Sequence, residues 1–187
     1  MSPRLELATG RATTFPRVVS GAVSQVLRPA IPDDAPRLVA MFERCSPASR
    51  YARFLAPLQH FPAAHLTDVV CSSPIRRSWV VEDVATGDVV AVASWVRNQG
   101  TCGDHGAEVG LLVEDAFQHL GLGTALLDEL ATSARHEGIT TFVAHTLADA
   151  RHVHRMLRHL GPVCIEGNGT TRSLHVALTG EVEALAG

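Results

Sequence analysis

The stretch 109–124, VGLLVEDAFQHLGLGT, changes character twice within a few turns of chain. It opens as an apolar, strand-like run, Val109-Gly110-Leu111-Leu112-Val113. An acidic and polar connection follows and leads into Gln118-x-x-Gly121-x-Gly123. Beyond it Leu122, Leu126, Leu130 and Ala134 recur at helical spacing until Gly138. A strand that feeds a glycine-bearing turn at a helix N-terminus is an anion-binding device. The first helical N–H groups have no partner inside the helix, and the helix dipole places partial positive charge beside them. Glycine lets that backbone approach a phosphate with no Cβ in the way. The segment is therefore expected to grip a phosphorylated cofactor.

Outward from this segment the pattern is that of one mixed α/β domain over 25–180, preceded by an arm over 1–24 that shows no periodicity and is expected to be flexible. A short strand is expected at 25–28, followed by a turn in which Asp33 or Asp34 is placed to cap a helix. Leu38, Met41, Phe42 and Cys45 lie on one face of that helix, and Ser46-Pro47 starts another as N-cap and first helical residue. A further short helix is expected within 61–71. The period then switches from helical to alternating. Residues 79–84 and 89–96, joined by Thr86-Gly87-Asp88, read as a hairpin. A polar loop over 98–106, a strand over 107–113, the helix described above and a strand over 140–147 follow. Val153, Met156, Leu157 and Leu160 then mark a last helix, and a second hairpin turns at Glu166-Gly167-Asn168-Gly169.

Composition narrows the function. The chain has 187 residues, 46% of them hydrophobic and 19% charged, which suits a single sizeable core. Sixteen basic against nineteen acidic residues give a net charge of −3, so no nucleic-acid footprint is expected. No apolar run is long enough to span a bilayer and no secretion signal is visible, so no membrane partner is expected. Cys45, Cys71, Cys102 and Cys164 are widely spaced, which favours reduced thiols in a cytoplasm over a metal or disulfide framework. His145, His152, His154 and His159 do not form a ligand spacing, so no metal is expected.

The element order, taken with the strand Val113, four residues and then Gln118-x-x-Gly121-x-Gly123, resembles the GCN5-related N-acetyltransferase (GNAT) superfamily. The resemblance covers roughly 27–178. It implies a mostly antiparallel central sheet flanked by helices and splayed between its fourth and fifth strands, here 107–113 and 140–147. It implies acetyl-CoA as cofactor, held by the backbone of Leu111, Leu112 and Val113 and by the turn Gln118, His119, Leu120, Gly121, Leu122, Gly123 and Thr124. A narrower likeness lies in Ser46-Pro47-Ala48-Ser49-Arg50-Tyr51-Ala52-Arg53-Phe54, which is similar to the SPxSRYxRF segment of bacterial protein lysine acetyltransferases. In those enzymes the Glu of an Ala-Glu-Val strand start is the proposed base, and Ala107-Glu108-Val109 matches it. The favoured acceptor is then a protein lysine ε-amine, with a small amine as the alternative; a homodimer is compatible with either.

Residue chemistry points the same way at Glu108. Acyl transfer requires a neutral amine, and a carboxylate sheltered on an apolar strand is a competent base. Arg50, Tyr51 and Arg53 could line the acceptor side or could anchor their helix; Arg50 and Tyr51 are assigned to substrate binding. Two positions depart from the family. Ala150 stands where an Asn usually contacts the cofactor, and no Tyr lies on the last helix to protonate the leaving thiolate. The first departure keeps open a third reading, a non-catalytic acetyl-CoA sensor.

Overall fold

A computed structural model describes residues 13–17, 23–98 and 105–178 of the chain. The strands are β1 (Thr13–Arg17), β2 (Val23–Pro29), β3 (Arg76–Asp83), β4 (Asp88–Arg97), β5 (Gly106–Val113), β6 (Thr141–Leu147), β7 (Val163–Glu166) and β8 (Thr171–Ala177). The helices are α1 (Ala35–Arg44), α2 (Pro47–Phe54), α3 (Ala63–Val70), α4 (Leu122–His136) and α5 (Arg151–Leu160). All eight strands join one sheet in the order β1-β2-β3-β4-β5-β6-β8-β7. Every neighbouring pair is antiparallel except β5 and β6, which run parallel. The expected mixed α/β architecture is the one observed.

Alternation along the strands feeds two cores, one on each face of the sheet. Trp79, Val81, Ala91, Ala93, Trp95, Val109 and Val113 point toward α4 and α5, where Leu122, Leu126, Leu130, Ala134 and Leu157 close the larger core. Val80, Val92 and Leu112 point the other way and pack on Leu38, Met41, Phe42 and Cys45 of α1 and on Val69 and Val70 of α3. The spacing read from the sequence for α1 and α4 is thus the spacing of the buried residues. Phe42, Phe54 and Phe61 meet edge to face, at centroid distances of 5.9, 5.4 and 6.0 Å, and tie α1 to α2 and to the chain before α3. The two hairpins are present as expected, with Gly87 at φ +73° and Gly167 at φ +98° in their turns.

Within the stretch expected as a flexible arm, β1 pairs Thr13–Arg17 with Val23–Leu27 of β2. Residues 1–12 and 18–22 of the arm, like 99–104 of the polar loop and with them Cys102, lie outside the described residues. β1 escapes periodicity because it is a short edge strand. Its Thr13-Thr14-Phe15 has high strand propensity, while Pro16, which lacks an N–H, is tolerated at an edge. Asp34 does not cap α1 with its side chain. It is fully buried and accepts two hydrogen bonds from the Arg28 guanidinium, each 2.7 Å, and one from the Ile31 N–H at 3.0 Å. Burial works against its charged form, but these donors prevail and hold the carboxyl below the usual range.

Asp34→Ala therefore leaves Arg28 with Glu82, 2.7 Å away, as its remaining carboxylate partner. The expected cost is about 3 kcal/mol, the low end for breaking a buried pair. Urea unfolding checks it, and a loss under about 1 kcal/mol would mean that the pair only balances its own desolvation.

Candidate active site

β5 and β6 pair over three residues only: Gly106 with Thr141, Ala107 with Phe142, and Glu108 with Val143. Beyond that point β5 stays bonded to β4 and β6 to β8, and the two strands part. The facing backbone groups of 109–113 and 144–147 have no strand partner across the gap, although such groups need one when water is excluded. The gap opens into a cleft of ≈ 1090 Å³. Leu111, Leu112, Val113, Gln118, His119, Gly121, Leu122, Gly123 and Thr124 all line it, and so does Glu108. Leu120 does not; it packs against the larger core.

The turn has the geometry that anion binding requires. Gly121 sits at φ +84° as the residue before α4, and no side chain caps that helix end. A Cβ there would meet no atom within 4 Å, so the space above the turn is open. Gly123 is the opposite case. A Cβ on it would come within 3.2 Å of Met156 Sδ and 3.8 Å of Leu111 Cδ1, so its smallness lets α4 close on α5 and β5. His119 also adopts a left-handed φ of +60°. The turn thus offers uncapped helical N–H groups beside open space, and these residues fit the pyrophosphate of a coenzyme A thioester. Ala150, His152, Arg155 and Met156 of the α5 segment line the same cleft.

A polar clasp joins this turn to α2. Ser46 caps α2, its Oγ accepting from the Ser49 N–H at 3.1 Å. The Asp115 carboxylate accepts from the Ser46 N–H at 2.8 Å, from the Ser46 hydroxyl at 2.7 Å and from the Ser49 hydroxyl at 2.9 Å. Burial raises the Asp115 carboxyl, but these donors outweigh it and hold the group below its ordinary range. Gln118 donates from Nε2 to Ser49 Oγ at 3.0 Å and to the Val113 carbonyl at 3.1 Å. One residue before Asp115, the buried Glu114 accepts from Arg44 Nε at 2.9 Å. The end of α1 and the start of α2 therefore hold 114–118 from one side. The side chain of Gln118 is committed to that clasp, and its contribution to the cleft is positional.

Residues 37–161 match the family described as Acetyltransferase (GNAT) family. The chain belongs to that family. It is 29% identical over 141 residues to acetyltransferase Pat of Mycolicibacterium smegmatis, a match covering 74% of this chain and 41% of that protein. The chain thus spans less than half the length of the curated relative it matches. Among solved structures it is similar to the GNAT domain of S. lividans PAT, with a TM-score of 0.76, 26% identity and coverage of 89% of this chain and 97% of that one. It is also similar to a mutant form of a cAMP-binding acyltransferase from Mycobacterium smegmatis, with a TM-score of 0.59, 25% identity and coverage of 90% and 48%.

Of Arg50, Tyr51 and Arg53, the pair assigned to substrate binding is placed away from the cleft. Arg50 and Tyr51 do not line the cleft. Arg50 lies over the Phe42 ring and donates to the carbonyls of Glu43, Cys45 and Gln59 at 2.9, 3.0 and 3.1 Å, which fastens α2 to the C-terminal end of α1. Tyr51 is exposed. Arg53 is the member of the trio that reaches the cleft. Its guanidinium lies where a side chain at 110 would be, since a Cβ on Gly110 would overlap Arg53 Cζ. An isolated Gly inside a strand pattern is the sequence signal of such a close approach. Glu108 is exposed rather than sheltered on its apolar strand, and it lies at the last paired position before the strands part.

His65 of α3 faces Arg53, with Nε2 3.4 Å from Arg53 Nη2. Burial first, and then the Arg53 cation, push its pKa from the ordinary 6.5 down to about 4. Between those values the unfolded chain binds a proton that the folded chain does not. Stability should therefore fall as pH drops from 6.5 toward about 4, and His65→Gln should flatten that fall by up to one proton. Urea midpoints at about pH 4.5, 5.5 and 7 measure the slope; identical slopes in both proteins would contradict a neutral His65.

Proposed function

We propose that this chain transfers the acetyl group of acetyl-CoA to an amine nitrogen, most favourably a protein lysine ε-amine, with Glu108 as the base. The observation that carries this reading is the position of Glu108 at the vertex of the β5–β6 gap, in the same cleft as the uncapped turn at Gly121. When bound, acetyl-CoA supplies an activated acetyl thioester. The turn 118–124 and the start of α4 hold its phosphates, and the free edges of 109–113 and 144–147 accept and donate to its amide-bearing arm. The exposed Glu108 carboxylate takes the proton of the incoming ammonium, directly or through a water, so that the nitrogen lone pair is available. Fixing both partners in one cleft supplies the orientation that a bimolecular aminolysis lacks.

Support for lysine as acceptor comes from the narrower likeness. The 46–54 segment is similar to that of bacterial protein acetyltransferases, and the relative named acetyltransferase Pat shares 29% identity. In this chain that segment builds the clasp and presents Arg53, so the likeness reaches residues that border the acceptor side. The place of action we propose is the cytoplasm. Among the described residues no helix is long and apolar enough to cross a membrane.

Two outcomes test the reading. Millimolar acetyl-CoA should raise the melting temperature of the wild type by mass action. Gly121→Ala should remove most of that rise, because its Cβ projects into the open space above the turn. An unmoved wild-type melting curve would end the cofactor assignment. Separately, Glu108→Gln should keep the acetyl-CoA affinity and lower kcat by about 10²–10⁴ at neutral pH, with the deficit shrinking at high pH, where the amine is already neutral. Near-normal turnover, or an equal loss of cofactor binding, would remove Glu108 from the role of base.

A further inference from the structure

Arg53 is a cation in an unusual setting. Its guanidinium lies on the β5 strand above Gly110, against the Phe54 ring at 5.0 Å, and borders both the cleft and a small cavity beside it. Among the described residues its hydrogen-bond partner is His65, a neutral imidazole that accepts one of five N–H donors. Other arginines beside the sheet are matched. Arg28 has Asp34 and Glu82, Arg44 has Glu114, Arg76 has Asp68 and Arg77 has Glu137. Arg53 has no carboxylate within ion-pair distance among the described residues. Its nearest negative charge is Glu108, which acts on it only at longer range. Arg53 is half-buried, and desolvating a guanidinium with no counter-charge within ion-pair distance is costly; the structure accepts that cost at one end of the substrate cleft.

Three features show which way the free donors are served. The small cavity between Arg53, Phe61, His65 and Ser94 has a volume of ≈ 10 Å³, room for about one water and too small for an organic anion. The open side is the cleft. Glu108 and Gly110 lie two residues apart on one face of β5, so the Glu108 side chain leaves the strand about one repeat, roughly 7 Å, from the position above which the guanidinium lies. Ser94, paired with Gly110 across β4, adds a hydroxyl to the same wall. An acceptor that brought only an ammonium would be attracted by Glu108 and repelled by Arg53. An acceptor with a carboxylate close to its amine would satisfy both.

We propose that Arg53 is the anion-recognising residue of the acceptor pocket, and that the acceptor carries a carboxylate seated on Arg53 beside the amine presented to Glu108. The proposal rests on the amine-acetyltransferase reading above and sharpens its substrate class. The carboxylate has two sources. It is the acceptor's own in a free amino acid, or that of an acidic side chain flanking a lysine in a polypeptide. Arginine suits either, because its planar fork matches a carboxylate bidentately.

The test compares kcat/KM for wild type, Arg53→Met and Arg53→Lys on matched acceptors: free L-amino acids against their amides, and lysine peptides flanked by Asp against the same peptides flanked by Asn. The wild type should prefer the carboxylate member of one pair on the order of 10–100-fold. The preference should approach one in Arg53→Met and return in part in Arg53→Lys. A preference in the first pair identifies a free amino acid, and one in the second an acidic lysine context. Absence of preference in both pairs, or a preference undiminished in Arg53→Met, overturns the assignment. Should Arg53→Met not fold, the wild-type ratios and Arg53→Lys decide alone. Should no amine be turned over, the transfer reading fails by itself, and calorimetry with N-acetylglycine against N-acetylglycinamide still decides Arg53. Carboxylate-selective binding lost in the variants upholds it, and equal or absent binding by the wild type overturns it.

Discussion

The structure is organised around a hydrogen-bond ladder that stops early. β5 and β6 share three residue pairs and then separate, although both continue as strands on their outer sides. A parallel pair this short is weak on its own. It is held because β5 is locked to β4 over seven pairs and β6 to β8 over seven, while α4 and α5 pack beneath the divergence. Gly123, Met156 and Leu111 meet at that point. The packing keeps the strands apart as firmly as the ladders hold their outer edges. A cleft with unpaired backbone edges is the consequence, and a ligand rich in amides and phosphates is what such edges can satisfy.

Holding the turn against this cleft is a second requirement. Between β5 and α4, Phe117 and Leu120 pack against the larger core, but the acidic start of the segment, Glu114-Asp115, has no apolar side chain to bury. That start is fixed by charge instead. Glu114 is taken by Arg44 and Asp115 by the hydroxyls and N–H groups at the start of α2. The Ser-Pro-x-Ser start of α2 therefore serves two ends: Ser46 caps its own helix and, with Ser49, binds the Asp115 carboxylate just before the glycine turn. A segment that looks like an acceptor-side feature in sequence is also the mount of that turn.

The parts legible in the sequence are those whose cause is local. Helical spacing in α1 and α4, the alternation and turn chemistry of the β3–β4 hairpin, and the glycines of the turn each follow from a few adjacent residues. The parts that are not legible depend on what a side chain meets across the fold. In 47–54 no apolar stripe orients the helix, and none of its residues is fully buried. Arg50, Tyr51 and Arg53 are therefore equivalent by spacing. The carbonyls at the end of α1 claim Arg50, and the space left by Gly110 admits Arg53. Asp34 reads as a cap because caps are local, yet a guanidinium six residues back and a strand carboxylate beyond it set its role. Glu108 falls within the strand expected over 107–113, but its exposure cannot be read from apolar neighbours, since those neighbours face the opposite core.

That last point explains why one strand can carry two kinds of chemistry. Ala107, Val109, Leu111 and Val113 turn toward α4 and α5, where they form the apolar wedge behind the cofactor turn. Glu108, Gly110 and Leu112 turn toward α1, α2 and α3, where the exposed carboxylate, the gap for Arg53 and the smaller core follow one another at the two-residue period. A shift of one residue in the β4–β5 register would bury Glu108 in the larger core and carry Leu111 to the Arg53 wall. The fold resists this slip strongly, because it would place a charge and a large apolar side chain in each other's environments at once. The register that protects both cores is therefore the same constraint that sets the Glu108 carboxylate and the Arg53 guanidinium on one wall of the cleft.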